Sequence, residues 1–102
     1  MPPMDVAISI EGVPIHLTHE RWFHIVENHD DVVGYYEDVL DTVENPDLVL
    51  RGYRDSLVAV RSYGRQRYLM VIYQQVSVDD GFIITAYFTR KIDRRKAVWR
   101  KP

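Results

Sequence analysis

The chain predicts an α+β domain in which two N-terminal helices pack on one face of an antiparallel four-stranded sheet, with a β-hairpin ahead of them. Three observations carry this. Apolar residues recur with a helical period between Thr18 and Glu44. From Leu48 the period drops to two and holds to Thr89. The links between the alternating runs are short, which suits hairpins and leaves no room for parallel crossovers. With 102 residues, 46% of them hydrophobic, residues 1–102 suit one domain around a single core.

Val6 to Ile10 alternates, Glu11-Gly12 turns, and Val13 to His16 runs back, which is a short hairpin. Thr18 to His29 (THERWFHIVENH) is the first helix. The Thr18 hydroxyl can accept from a free backbone N–H of the first turn, and Glu20 sits near the positive end of the helix dipole. Trp22, Ile25, Val26 and His29 form its core stripe, while Arg21, His24 and Asn28 share a neighbouring stripe. A second helix spans about Tyr35 to Glu44, with Tyr36, Val39, Leu40 and Val43 buried and Glu37, Asp38, Asp41 and Glu44 solvated. Pro46 ends it, because proline pushes Asn45 out of helical geometry.

Four strands follow: Leu48–Tyr53, Ser56–Tyr63, Arg67–Val76 and Phe82–Thr89. Short turns at Arg54-Asp55, Gly64–Gln66 and Ser77–Gly81 make them an antiparallel meander. The tail from Arg90 holds seven Lys and Arg among thirteen residues, and its segment Arg94–Arg100 is either a short helix or an extended basic arm.

Charge is segregated along the chain. Residues 1–50 carry eleven acidic residues against one arginine, and residues 51–102 carry twelve basic residues against four aspartates. Either one end of the domain is positive, suiting a phosphate-bearing partner, or the halves neutralise each other within the fold. The absence of cysteine excludes disulfides, thiolate metal sites and a cysteine nucleophile, and is compatible with a reducing cytoplasm. No apolar run reaches the roughly 20 residues that span a bilayer, and the first residues lack signal-peptide features, so a cytoplasmic protein without a membrane partner is expected. His19, His24 and His29 are spaced by five, which is poor for one metal-binding helical face. There is no glycine-rich phosphate loop and no Gly-x-Ser-x-Gly elbow. No metal and no cofactor are expected.

Alternation places Ile84, Ala86 and Phe88 on the core face of the last strand, and Thr85, Tyr87 and Thr89 on the open face, with Lys91 next in phase. Arg51 and Arg61 interrupt apolar strands, and either extend that polar face or pair with the acidic second helix. Bordered by the His24 and Arg21 stripe, such a face has the groups that RNA cleavage requires. Histidine can take the proton of a 2′-hydroxyl and supply one to the leaving oxygen near neutral pH. Arginine and hydroxyl donors can stabilise the pentavalent phosphate.

The order of signals resembles the small phage- and toxin-associated nucleases of the barnase–EndoU–colicin–RelE type. The residues that carry the likeness are Arg21, Trp22, His24 and Ile25, then Asn45, Pro46 and Asp47, then Thr85, Ala86 and Tyr87, within a match over residues 15 to 91. The resemblance implies a metal-independent endoribonuclease, a toxin or phage-associated effector, cleaving RNA through a 2′,3′-cyclic phosphate. It assigns acid–base work to His24, joined by His19 or His29, and phosphate positioning to Thr85 and Tyr87. From the residues themselves, Arg21 joins the catalytic set, and Arg51, Arg61, Thr89 and Lys91 are the RNA-binding candidates. An antitoxin or immunity protein is a possible partner. The rival reading is a non-catalytic nucleic-acid- or protein-binding module on the same scaffold. It needs only the charge pattern, whereas catalysis needs His24 near the polar sheet face, close to Thr85, with a shifted pKa.

Overall fold

A computed structural model describes residues 4–102. Strands β1 (Met4–Ile8) and β2 (Pro14–Thr18) form the expected hairpin. Helix α1 (His19–Asn28) follows directly, and the Thr18 hydroxyl accepts from the Arg21 N–H at 3.0 Å as its N-cap. After a short turn at Asp30–Val32 comes α2 (Tyr36–Glu44), which ends at Asn45 with buried Pro46 behind it. Strands β3 (Leu48–Arg51), β4 (Leu57–Ser62), β5 (Tyr68–Ser77) and β6 (Asp80–Thr89) form the antiparallel meander. A last strand, β7 (Ala97–Arg100), pairs antiparallel with β3.

The sheet is therefore not the four-stranded antiparallel one that the alternation predicts. It has seven strands in the order β1-β2-β6-β5-β4-β3-β7, and it is mixed, because β2 runs parallel to β6. Two additions make the difference. The hairpin joins the main sheet through Ile15 opposite Gly81 and His16 opposite Phe82, a pairing across more than sixty residues that no local pattern announces. The tail supplies β7, whose four-residue alternation lies inside a run of basic side chains.

Gly81 makes the parallel pairing possible. A Cβ there would lie 2.7 Å from the Gln74 carbonyl oxygen and 2.6 Å from the Ile15 side chain. β6 also carries a bulge. Thr85 faces Ile72 and Ile83 faces Tyr73, so Ile84 is the extra residue. The expected phase is corrected accordingly. Ile83, not Ile84, is the buried residue of the lower half, and Ala86 and Phe88 keep the core side in the upper half.

Both helices contribute to one apolar cluster, which includes Ile25, Val39 and Val43 with Leu17, Leu69, Val71 and Tyr73 of the sheet. The opposite face is not the polar surface that the sequence suggests. Leu48, Leu50, Val58, Val60 and Met70 form a second apolar cluster there, and Ile92 and Ala97 of the C-terminal segment pack on it. At about 25 cal/mol per Å² of apolar surface, an open aliphatic face is unfavourable in water, which explains why the tail folds over it. Past Phe82, β6 has no strand on its β2 side, and the segment after α1 lies along that edge, where the Asp31 carboxylate accepts from the Phe88 N–H at 3.1 Å.

Candidate active site

Placing α1 along the free edge of β6 brings residues from both elements into one groove. Its lining includes Arg21, His24, Asn28 and His29 from the helix side and Ile84 and Thr85 from the strand, around a volume of about 470 Å³. His24 is largely exposed, and its Nδ1 lies 3.8 Å from the Glu27 carboxylate one turn on. The Asn28 amide donates to the His24 carbonyl at 2.8 Å, which holds its side chain along the same stripe.

His29 is not the core residue that the helical stripe suggests. It is the C-cap of α1, with φ −137° and ψ 78°, so the chain has already left helical geometry and the ring swings off the apolar stripe. It stacks on Tyr87, with ring centroids 5.2 Å apart. Tyr87 in turn lines a second groove on the far sheet face, also about 470 Å³, together with Arg51, Tyr53, Lys91 and Lys96. The His29–Tyr87 pair therefore stands between the two grooves. Among the described residues, the ion pairs include none of Arg21, Arg51, Lys91 and Lys96.

The other expected site residues lie elsewhere. His19 begins α1 and rests edge-on against Tyr36 at 6.4 Å, outside the groove of His24. Arg61 does not extend the open face. It shares the phase of Ala59 in β4, which is buried in the helix-side cluster, and its guanidinium donates to Asp41 of α2 at 3.0 Å. The charge segregation is partly used within the fold at this point. Thr89 donates to the Lys91 carbonyl at 3.3 Å and lines a separate hollow with Arg65, Arg67 and Arg90.

Thus Arg21, His24 and Thr85 are brought together, Tyr87 joins them through His29, and Arg51 and Lys91 flank Tyr87 on the far side. His19, Arg61 and Thr89 are not part of this constellation. Asn28 was legible as a stripe neighbour of Arg21, whereas Tyr53 and Lys96 carried no signal in the sequence.

Among the described residues, no three His, Asp or Glu side chains gather as a metal-binding group. No described helix is long and apolar enough to cross a membrane. Comparison with protein-family models, with curated proteins and with solved structures finds no match.

Proposed function

We propose that this protein is a metal-independent endoribonuclease whose site is the groove between α1 and β6, with the far sheet face binding the rest of the RNA. The observation that carries the reading is the convergence of two imidazoles, a guanidinium with no ion-pair partner among the described residues, and a hydroxyl, all lining one groove. One histidine takes the 2′-hydroxyl proton as that oxygen attacks the adjacent phosphorus. The P–O5′ bond breaks, and the other histidine protonates the departing oxygen. The products are a 2′,3′-cyclic phosphate and a free 5′-hydroxyl. Arg21 and Thr85 donate to the equatorial phosphate oxygens, where charge accumulates in the transition state. His24 and His29 fill the acid–base pair, and His19 has no place in it.

Cleavage of a labelled RNA by the purified protein in EDTA tests this, beside His24→Ala. Fragments ending in 2′,3′-cyclic phosphate, reduced about 10²-fold or more in the variant, are expected. Activity unchanged in both His24→Ala and His29→Ala would remove the groove from the mechanism. Binding of RNA without cleavage across varied substrates would leave a binding module on this scaffold.

A further inference from the structure

The groove on the far sheet face has features that a phosphate-binding surface alone does not need. Its floor is aliphatic, formed by Leu50, Val58, Met70 and Ile72, and the Lys91–Lys96 segment lines it as well. Its volume of about 470 Å³ lies within the roughly 300–1,000 Å³ of small-ligand pockets. Tyr53 lines it too, and is 79% exposed.

The loop holding Tyr53 is built at a conformational cost. Arg54 and Asp55 have φ of +52° and +65°, the left-handed region that L side chains rarely occupy. The conformation is clamped by the Ser56 hydroxyl donating to the Tyr53 carbonyl at 2.7 Å and by the Gly52 N–H donating to the Ser56 carbonyl at 2.8 Å. Gly52 is required as well, because a Cβ there would collide with the Ser56 hydroxyl. An exposed aromatic ring held by a strained, clamped loop is costly for folding alone and suits a stacking platform.

The charges agree with this. Arg51, Lys91 and Lys96 line the groove against a single carboxylate, Asp93. Both oxygens of Asp93 are already engaged by the Arg95 guanidinium, at 3.0 and 3.2 Å. A planar ring with a phosphate attached meets all three features: floor, aromatic rim and uncompensated cations.

We propose that this groove is a nucleotide subsite that takes one unpaired RNA nucleotide, its base against Tyr53 and the aliphatic floor and its phosphate at Lys91 and Lys96. The inference rests on the nuclease reading for its place beside the scissile bond, since Tyr87 connects the subsite to His29. It commits the substrate to single strands, because a base paired and stacked in an A-form duplex cannot reach the floor.

The test is an amide-resolved NMR titration of the full chain with each 5′-mononucleotide, with inorganic phosphate, with a single-stranded RNA and with the matching duplex. Mononucleotides are expected to shift amides of the Gly52–Ser56 loop and of Lys91–Lys96, and to bind about ten-fold or more tightly than phosphate. Single strands are expected to perturb the same amides, and duplex is not. Tyr53→Ala, at an exposed position, is expected to weaken nucleotide binding about ten-fold, and Ile72→Trp to block it by filling the floor. Equal binding of phosphate and nucleotide, or of duplex and single strand, would overturn the subsite. A free nucleotide that binds while single-stranded RNA leaves these amides unshifted would make the groove a small-ligand site and overturn it as an RNA subsite.

Cleavage separates this from the nuclease reading. Nucleotide binding without any RNA cleavage would remove the catalytic reading and keep the subsite. Cleavage by Tyr53→Ala with wild-type KM, in a protein that binds no mononucleotide, would remove the subsite and keep the nuclease.

Discussion

His29 lies nearly parallel to Tyr87, the two ring planes 30° apart and their centroids separated by 5.2 Å. One residue caps α1 and the other sits midway along the upper half of β6, so the stack locks the end of the helix to the strand that borders both grooves. The stack also orients the imidazole. Tyr87→Phe keeps the stack and removes the phenol, so RNA cleavage is expected to fall by less than about ten-fold. On the proposed nuclease reading His29→Ala removes a proton-transfer group, and kcat is expected to fall about 10²-fold or more with little change in binding. If the two variants lose activity equally in kcat, the hydroxyl of Tyr87 does the chemistry and His29 only supports it.

Arginines on the two faces are expected to behave differently. Arg61 is committed to Asp41 in a partly exposed pair, so Arg61→Gln costs at most about 1 kcal/mol of stability. Its RNA affinity and salt dependence are expected to match wild type. Arg51→Gln and Lys91→Gln, on the groove, are each expected to lower the slope of log affinity against log salt by about one, as loss of one phosphate contact does. Filter binding across a salt series measures both. A reduced slope for Arg61→Gln would mean that the Asp41 pair opens for RNA.

Gly81 is the contact on which the seven-stranded arrangement turns. Even a methyl group there meets the Gln74 backbone at 2.7 Å, so either β5 or β2 must move. Gly81→Ala is expected to destabilise the fold by about 1–3 kcal/mol, read from the urea midpoint. Gly64→Ala offers a comparison at a glycine with φ +78° and no crowding, where the cost comes from backbone conformation alone.

These positions also show what the sequence could and could not reveal. Both helices were legible because Ile25, Val39 and Val43 repeat with the helical period and are buried where that period puts them. The meander was legible because its turns are local. The joining of β2 to β6 was not, since the pairing of His16 with Phe82 depends on where the whole hairpin lands. Strand β7 was hidden by composition, as Arg94 to Lys96 make its surroundings read as a solvated tail. The shared stripe of Arg21 and His24 was readable from the helical period, whereas strand phase put Thr85 on the open face with Tyr87 and not in the groove beside α1. His29 was misread because the stripe assumes a helix that has ended there, whereas for Arg61 the sequence left both the open face and the acidic second helix available, and the pair with Asp41 is the second of these.

Three tyrosines are expected to make the fold sensitive to alkali. Burial, then a hydrogen bond to Asp38 and its charge, pushes the Tyr63 phenol up to about 12. Burial and the charge of Glu11 push Tyr73 up to about 12, and burial with Asp5 raises Tyr36 further still. In the unfolded chain a tyrosine ionises near pH 10. Below that pH the phenols are neutral in both states and their contribution is complete. Between about pH 10 and 12 the unfolded chain releases protons that the folded protein retains, so stability falls as pH rises. Urea midpoints are therefore expected to be flat from neutral pH to about 9 and to drop steeply above 10, with tyrosine absorbance titrating late and together with unfolding. Two variants separate the causes. Tyr63→Phe loses the hydrogen bond to Asp38 and is expected to cost about 1 kcal/mol at neutral pH while flattening the alkaline fall. Tyr73 is fully buried and its hydroxyl has no hydrogen-bond partner among the described residues, so Tyr73→Phe is expected to flatten the same fall at no cost in stability at neutral pH. An alkaline fall that stays as steep in both variants would assign the sensitivity to Tyr36 and its contact with Asp5, the tie between α2 and the first strand of the sheet.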